Sequence, residues 1–360
     1  MQFLIRFDIC CLVGSKGRAA SQLLLTARVD CLSAGDRFLL QVGAVIGRKF
    51  HLRVLAAVVN SPEIDIGQSL APMQVAQFVY RDESSGDYVF KHALVREALY
   101  DSLLSTVRAQ LHLKVAKEIE KYSANRLIEV AEVLAHHFSI ADQPEPASRY
   151  LCLAGRISLD TYSPEEAEQY FRQALTTYET KSRRENNSGM AKAVVGLLEA
   201  LYLSGNVLET KRIAEFYIPR LEEEGPSPEL VFALYYLSLM LCNLCRFREG
   251  EVKAQQALTI AEKTGDVKAL AYARSCLFFI LNILGQTPLE TMEAMGAQLI
   301  ADCEKASDKY CLNWAYFSIA WDYFTRGLES VARCWLAKLI ESGRKRRDQR
   351  ALGLANWALS

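Results

Sequence analysis

Ala167, Phe171 and Ala174 stand four and three residues apart, and the same spacing returns at Gly250, Ala254 and Ala257. Residues at i, i+4 and i+7 share one face of a helix, and small side chains on that face let a second helix cross closely. Partner positions lie upstream, at Gly155 for the first set and Leu241 for the second. Weaker copies place Gly205 ahead of Ala214, Gly285 ahead of Ala294 and Ala297, and Gly327 ahead of Ala332. The spacing implies helix pairs with a period near ~40 residues, longer than the ~34 of the commonest helix-pair repeat. One such pair cannot bury its apolar face alone, so the pairs must stack side by side into a superhelix. Leu352 to Ser360 reads as the opening of a further pair without a polar capping helix, which predicts an array incomplete at its C-terminal end.

The chain ahead of this array has another character. Helical spacing is expected at Leu23, Leu24, Ala27 and Val29, then on a helix capped by Asp36 and ended by Gly47, then over Leu52 to Val59 up to Asn60-Ser61-Pro62. A fourth helical stretch is expected from about Ile66 to Ala76, broken or started late by Pro72. Phe78 to Asp82 and Tyr88 to Phe90 alternate as strands around the turn residues Glu83 to Asp87. At Lys91-His92 the second strand runs into a helix carrying Leu94, Val95, Ala98, Leu99 and Leu103. Helices, one hairpin and a closing helix make a winged-helix-like domain. Further helices are expected over Ser105 to Glu120 and Arg126 to Phe138, with Pro144 and Pro146 as punctuation.

The reading is therefore predominantly all-α. Residues 1–21 form an unassigned segment consistent with a truncation remnant or an ordinary flexible terminus, 22–122 a winged-helix-like domain and 123–146 a helical linker. Residues 147–360 form a tetratricopeptide-like α-solenoid.

Three stretches carry a resemblance: Tyr88 to Leu104 (YVFKHALVREALYDSLL), Leu25 to Phe50 (LTARVDCLSAGDRFLLQVGAVIGRKF) and Leu134 to Gly155 (LAHHFSIADQPEPASRYLCLAG). They resemble the back half of bacterial signalling proteins that join a class III adenylate/guanylate cyclase domain, a signal-transduction ATPase module and tetratricopeptide-like repeats. The resemblance implies a winged helix that closes on an ATPase core, absent from this sequence, with ATP or ADP as cofactor of such a parent. It also implies that His92, just after a strand, donates to the β-phosphate of bound ADP. Relatives carry Met before and Asp after that histidine, where Lys91 and Ala93 stand here. The other reading of His92 is a polar residue at a helix start.

Composition narrows the partners. Lys+Arg and Asp+Glu are both 42, so no net field favours nucleic acid or an anionic membrane. Arg48, Lys49 and Arg53 cluster, but Glu63 and Asp65 follow closely, which speaks against phosphate-backbone contacts. The run Arg344 to Arg347 reads as a solvated turn between helices. The ten cysteines are scattered through apolar helical runs, as buried thiols of a reducing cytoplasm would be. Cys242 and Cys245 have the spacing of half a zinc site without the other half. The apolar stretches Leu230 to Cys245 and Ala269 to Leu284 fall short of the ~20 residues that span a bilayer.

Chemistry is sparse. Gly14 to Gly17 fails the phosphate-loop pattern, since Arg18-Ala19 follows. His51 and His112 read as ordinary helix residues, and the adjacent His136 and His137 point about 100° apart on a helix and so share no site. No catalytic set or resident cofactor is visible, so this chain by itself is expected not to be an enzyme. Its expected role is regulatory, with a protein or peptide partner bound by the repeats. Two alternatives stay open: a DNA-binding regulator with a repeat sensor, and a cyclase function residing in the parent family's other domains.

Overall fold

The computed structural model describes residues 29, 31–181, 187–346 and 348–359. The unassigned segment 1–21 and the helical positions Leu23, Leu24 and Ala27 lie outside the described residues. The chain divides into two compact units at Tyr150/Leu151.

The first unit runs α1 (Ala34–Ile46), β1 (Lys49–Phe50), α2 (Leu52–Val59), α3 (Glu63–Val75), β2 (Val79–Arg81), β3 (Tyr88–Phe90), α4 (Ala93–Asp101), α5 (Ser105–Tyr122) and α6 (Leu127–Ile140). Ser33, not Asp36, caps α1: its hydroxyl accepts the Asp36 amide at 3.1 Å, which satisfies one of the orphan donors of the first turn. α2 keeps the expected bounds and ends on Asn60 in the left-handed region. α3 starts earlier than expected and continues through Pro72. Proline there removes one hydrogen bond of the final turn only, where the helix is about to end.

The hairpin β2–β3 pairs Val79 with Phe90 and Arg81 with Tyr88. It gains a third, two-residue strand that sequence periodicity cannot register: β1 pairs antiparallel with β3, Phe50 opposite Tyr88, for a sheet order β1-β3-β2. Phe50 is buried, stacks on Tyr88 and tilts against Phe90. Gly43 of α1 lets that ring approach, since a Cβ there would stand 3.1 Å from it. Asp82 organises the hairpin turn by accepting from Ser84 Oγ at 2.7 Å and Ser85 Oγ at 3.0 Å, and it receives Lys49 Nζ from β1 at 3.0 Å. These donors, Ser84 foremost, hold its carboxyl well below the usual range.

The second unit is a run of antiparallel helix pairs. After α7 (Pro144–Asp160), within which the division falls, come α8 (Pro164–Lys181), α9 (Asn187–Leu203), α10 (Val207–Glu223), α11 (Pro228–Asn243) and α12 (Phe247–Thr264). Then follow α13 (Val267–Leu284), α14 (Leu289–Lys305), α15 (Lys309–Thr325), α16 (Glu329–Arg346) and α17 (Gln349–Leu359). Successive pairs begin at 187, 228, 267 and 309, a step of about 40 residues as the sequence implies. Pro144 opens α7 rather than interrupting the chain, a position where its missing N–H costs nothing.

Each pair is built the same way. The first helix ends on a residue with positive φ: Tyr162, Gly205, Cys245, Gly285 and Gly327 in turn. Gly205, Gly285 and Gly327 are therefore turn residues, not the small contact residues their sequence copies suggested. Five residues after each of Tyr162, Gly205, Cys245 and Gly327, a small buried residue of the second helix follows: Ala167, Thr210, Gly250 and Ala332. Met292 takes this place after Gly285, where the turn is two residues longer. Positions four and seven further on, such as Phe171 and Ala174 or Ala254 and Ala257, are buried as well. Phe171 uses the room that glycine leaves on two helices at once: a Cβ on Gly155 would stand 2.8 Å from its ring, and one on Gly196 would overlap it.

From α9 onward the first helices of consecutive pairs pack on one another, α9 on α11, α11 on α13, α13 on α15 and α15 on α17. The array therefore curls with these helices inside. α13 spans two residues more than expected, and by length and composition alone it is the one described helix able to cross a membrane. Here Ala271, Phe278 and Ile280 are buried among neighbouring helices.

Candidate functional site

The inner helices of the repeats converge on one cavity of about 290 Å³. It is lined from the C-terminal ends of α7 and α9 by Arg156, Asp160, Glu199 and Tyr202, and from mid-α11 by Tyr235 and Tyr236. The N-terminal turns of α13 and α15 add Lys268, Tyr272, Asp308 and Tyr310, and Asp348 closes it ahead of α17. Residues nearly 200 positions apart reach it because each inner helix is displaced along the superhelix by one step.

Its polar groups are ordered. Arg156 Nη1 donates to Glu199 Oε2 at 2.7 Å, and Lys268 Nζ to Asp308 Oδ2 at 3.1 Å. Asp308 spends its other oxygen on capping α15, accepting the Cys311 amide at 3.0 Å. The Lys268 ammonium also stands 5.6 Å from the Tyr272 ring centroid, within cation–π range. Tyr272 meets Tyr235 edge-on, and Tyr235 meets Tyr236 likewise. Burial pushes the hydroxyls of Tyr235, Tyr236 and Tyr272 far up, so all three stay neutral, and neighbouring hydroxyls and carboxylates add to the push. The cavity is thus a fixed set of donors and acceptors on packed helices.

In the first unit the structure assembles a histidine group that sequence spacing does not reveal. His112 on α5 and His137 on α6 are 1% and 2% exposed, and their Nδ1 atoms lie 2.7 Å apart. The other nitrogen of His112 is 2.9 Å from the Tyr100 hydroxyl. The backbone of Ile46 acts on the His137 ring in the sense that favours its protonated form, against the larger effect of burial. Across the Nδ1–Nδ1 contact one ring donates and the other accepts, so at least one of the two nitrogens carries no proton. Burial foremost depresses both rings, to about 4 for His112 and about 3 for His137. His136 completes the group edge-on to both rings, beside a cavity of about 610 Å³ that Arg96 and Glu132 also line. His112 is thus a buried network residue rather than an ordinary helix residue, and the adjacent His136 and His137, which helix spacing set apart, both meet its ring.

The remaining sequence candidates separate. His92 is exposed at the N-cap of α4, in extended conformation, and its side chain makes no capping hydrogen bond. His51 stands just before α2, not within it, and accepts the Arg53 amide at 3.1 Å. Cys242 is buried and Cys245 exposed, and among the described residues no group of three or more His, Cys, Asp or Glu is placed to hold a metal. Lys49 pairs with Asp82 and Asp87, and Arg53 lies over the Tyr122 ring. Arg344 and Lys345 occupy the last turn of α16 rather than a loop, where basic charge suits the helix C-terminus; Arg347 lies outside the described residues.

No protein-family profile matches the chain, and no curated protein matches it. Solved structures do. Aspartyl phosphate phosphatase F from Bacillus subtilis is 11% identical, with 98% of this chain and 95% of that one covered and a TM-score of 0.47. A signal transduction ATPase with numerous domains carrying a tetratricopeptide repeat sensor, from Pyrococcus horikoshii, is 14% identical, with 94% and 55% covered and a TM-score of 0.41. BtubC from P. vanneervenii is 16% identical, with 65% and 92% covered and a TM-score of 0.46. At these identities function has to be read from the chain's own geometry.

Proposed function

We propose that this chain is a non-catalytic regulatory and protein-interaction segment whose inner repeat face captures a segment of a protein or peptide. The observation that carries the reading is the cavity lined from five inner helices and the residue ahead of a sixth: a superhelix offers its partner a continuous groove, and side chains on packed helices hold their positions without an ordering cost. In this reading the first unit is a winged helix. Its helix, strand, two helices and hairpin, with sheet order β1-β3-β2, support that assignment. In a longer parent it would close on an ATPase core, and His92, exposed at the start of a nine-residue helix, would meet a phosphate of ADP there. Partner capture on the repeats would then bias closed against open forms. DNA binding has less to rest on, because Lys49 is engaged by two carboxylates.

Site-specific photocrosslinking tests the capture surface. A benzoylphenylalanine replacing Tyr202, on the inner face, should attach to a defined segment of a partner protein in cells. One replacing Phe216, 65% exposed on α10, should not. Equal labelling from both positions would remove the inner face as the binding surface.

A further inference from the structure

Resting on that reading, we infer that the inner cavity selects a cationic side chain, arginine or lysine, on the captured segment. The first reason is charge: among the lining residues Asp160, Glu199 and Asp308 outnumber Arg156 and Lys268, even leaving aside Asp348, whose oxygens are engaged by the Asn313 side-chain amide and the Ala351 backbone amide. The two cations already stand against carboxylates, Arg156 on Glu199 and Lys268 on Asp308, so neither is presented as a spare anion receptor.

The second reason is that the lining shows how it houses a cation. Lys268 is held by one carboxylate and one tyrosine face, which is the environment an incoming ammonium or guanidinium needs. Tyr202 and Tyr236 form a second tilted ring pair at 5.7 Å, next to Glu199 and the end of α7 where Asp160 is exposed. Neutral tyrosine hydroxyls can accept from a cation, and the sign is set by the carboxylates: an incoming carboxylate would meet Asp160, Glu199 and Asp308. A guanidinium suits the place better than an ammonium, being planar, weakly hydrated and able to stack on a ring while bonding a carboxylate. The volume of about 290 Å³ admits one side-chain head with a few waters, at ~30 Å³ of liquid volume each.

The probe is N-acetyl-argininamide, titrated into the full chain and followed by saturation-transfer NMR, with the lysine, citrulline and glutamate amides alongside. Arginine should bind most tightly and lysine next, with citrulline and glutamate showing no saturable binding at concentrations on the order of 10 mM. Asp160→Lys should weaken arginine binding at least fivefold and Asp160→Asn less, while Glu251→Lys on the outer helix α12 should leave it unchanged. Both Asp160 variants change an exposed helix-end residue, and an unaltered melting temperature identifies any loss as local. Tighter binding of the glutamate amide, no saturable binding of arginine, or an Asp160→Lys variant that binds arginine as the parent does would each overturn the inference. Partner capture is judged separately: crosslinks from position 202 to an acidic or neutral segment would preserve the inner-face reading while refuting the cationic preference.

Discussion

The two units solve the same problem, burying apolar helix faces, in opposite ways. In the repeats one device recurs: a left-handed residue at 162, 205, 245, 285 and 327, then a small or slender buried residue on the next helix. The first unit uses each of its devices once: a glycine under Phe50, a carboxylate-centred turn at Asp82, and a hydrogen-bonded chain from Tyr100 through His112 to His137. Repetition spreads stability over local, neighbour-to-neighbour contacts, so damage should stay near its origin. A singular core concentrates it, so one titrating group can act on the whole unit.

The sharpest way to break this contrast is Phe171→Ala. The ring fills the space between Gly155 and Gly196, and its removal should cost about 3–5 kcal/mol. Hydrogen exchange should show the lost protection confined to α7 through α10. Protection lost evenly out to α17 would mean that the array unfolds as one block.

A comparable effect is expected from pH in the first unit above about 5, before the Glu209 carboxylate of the repeats, held down to about 2 by Arg212 and then Arg172, comes into play. Unfolded histidine takes up a proton near 6.5, whereas the folded rings resist until about 4 and about 3. Between those limits the unfolded state binds more protons, so stability is constant above about 6.5 and falls as the pH drops toward 3. At about 1.4 kcal/mol per pH unit for each ring, the loss between about 6.5 and 5 amounts to about 4 kcal/mol. Denaturant midpoints of the first unit, read by exchange between pH 7 and 5, should decline, and a His112→Phe/His137→Leu variant should flatten the decline. A parallel decline in the repeats, or the same slope in the double variant, would assign the effect elsewhere.

The smallest effect sharpens the comparison by making the repeats more alike. Cys245 holds φ 58 where three sister turns carry glycine. Cys245→Gly should raise stability by up to about 1 kcal/mol, because the β-carbon penalty of the left-handed region exceeds the entropy that glycine adds to the unfolded chain. A lowered melting temperature would show that the cysteine side chain contributes packing that outweighs its strain.

What could be read from the sequence follows the same division. Helix existence, the step of about 40 residues, and the buried faces at Ala167, Phe171, Ala174 and Gly250, Ala254, Ala257 were legible, because each is a local pattern repeated along the chain. The hairpin and the bounds of α2 were legible from turn residues. The third strand was not, since Lys49 and Phe50 are too short a stretch to show alternation and become a strand only by pairing with β3. Nor were the cap at Ser33 or the role of Gly205, Gly285 and Gly327, because a residue that opens a turn and one that admits a neighbour read alike until φ is known.

The sites belong wholly to tertiary structure. His112 and His137 are 25 residues apart on different helices, and only the packing of α5 on α6 turns two unremarkable residues into one neutral pair. Arg156 and Asp348 line the same cavity because the helix pairs advance by a fixed step and bring distant inner faces together. Side-chain periodicity fixes which face of a helix is buried, whereas the curl of the stack, the sum of many small rotations between pairs, decides which exposed residues meet.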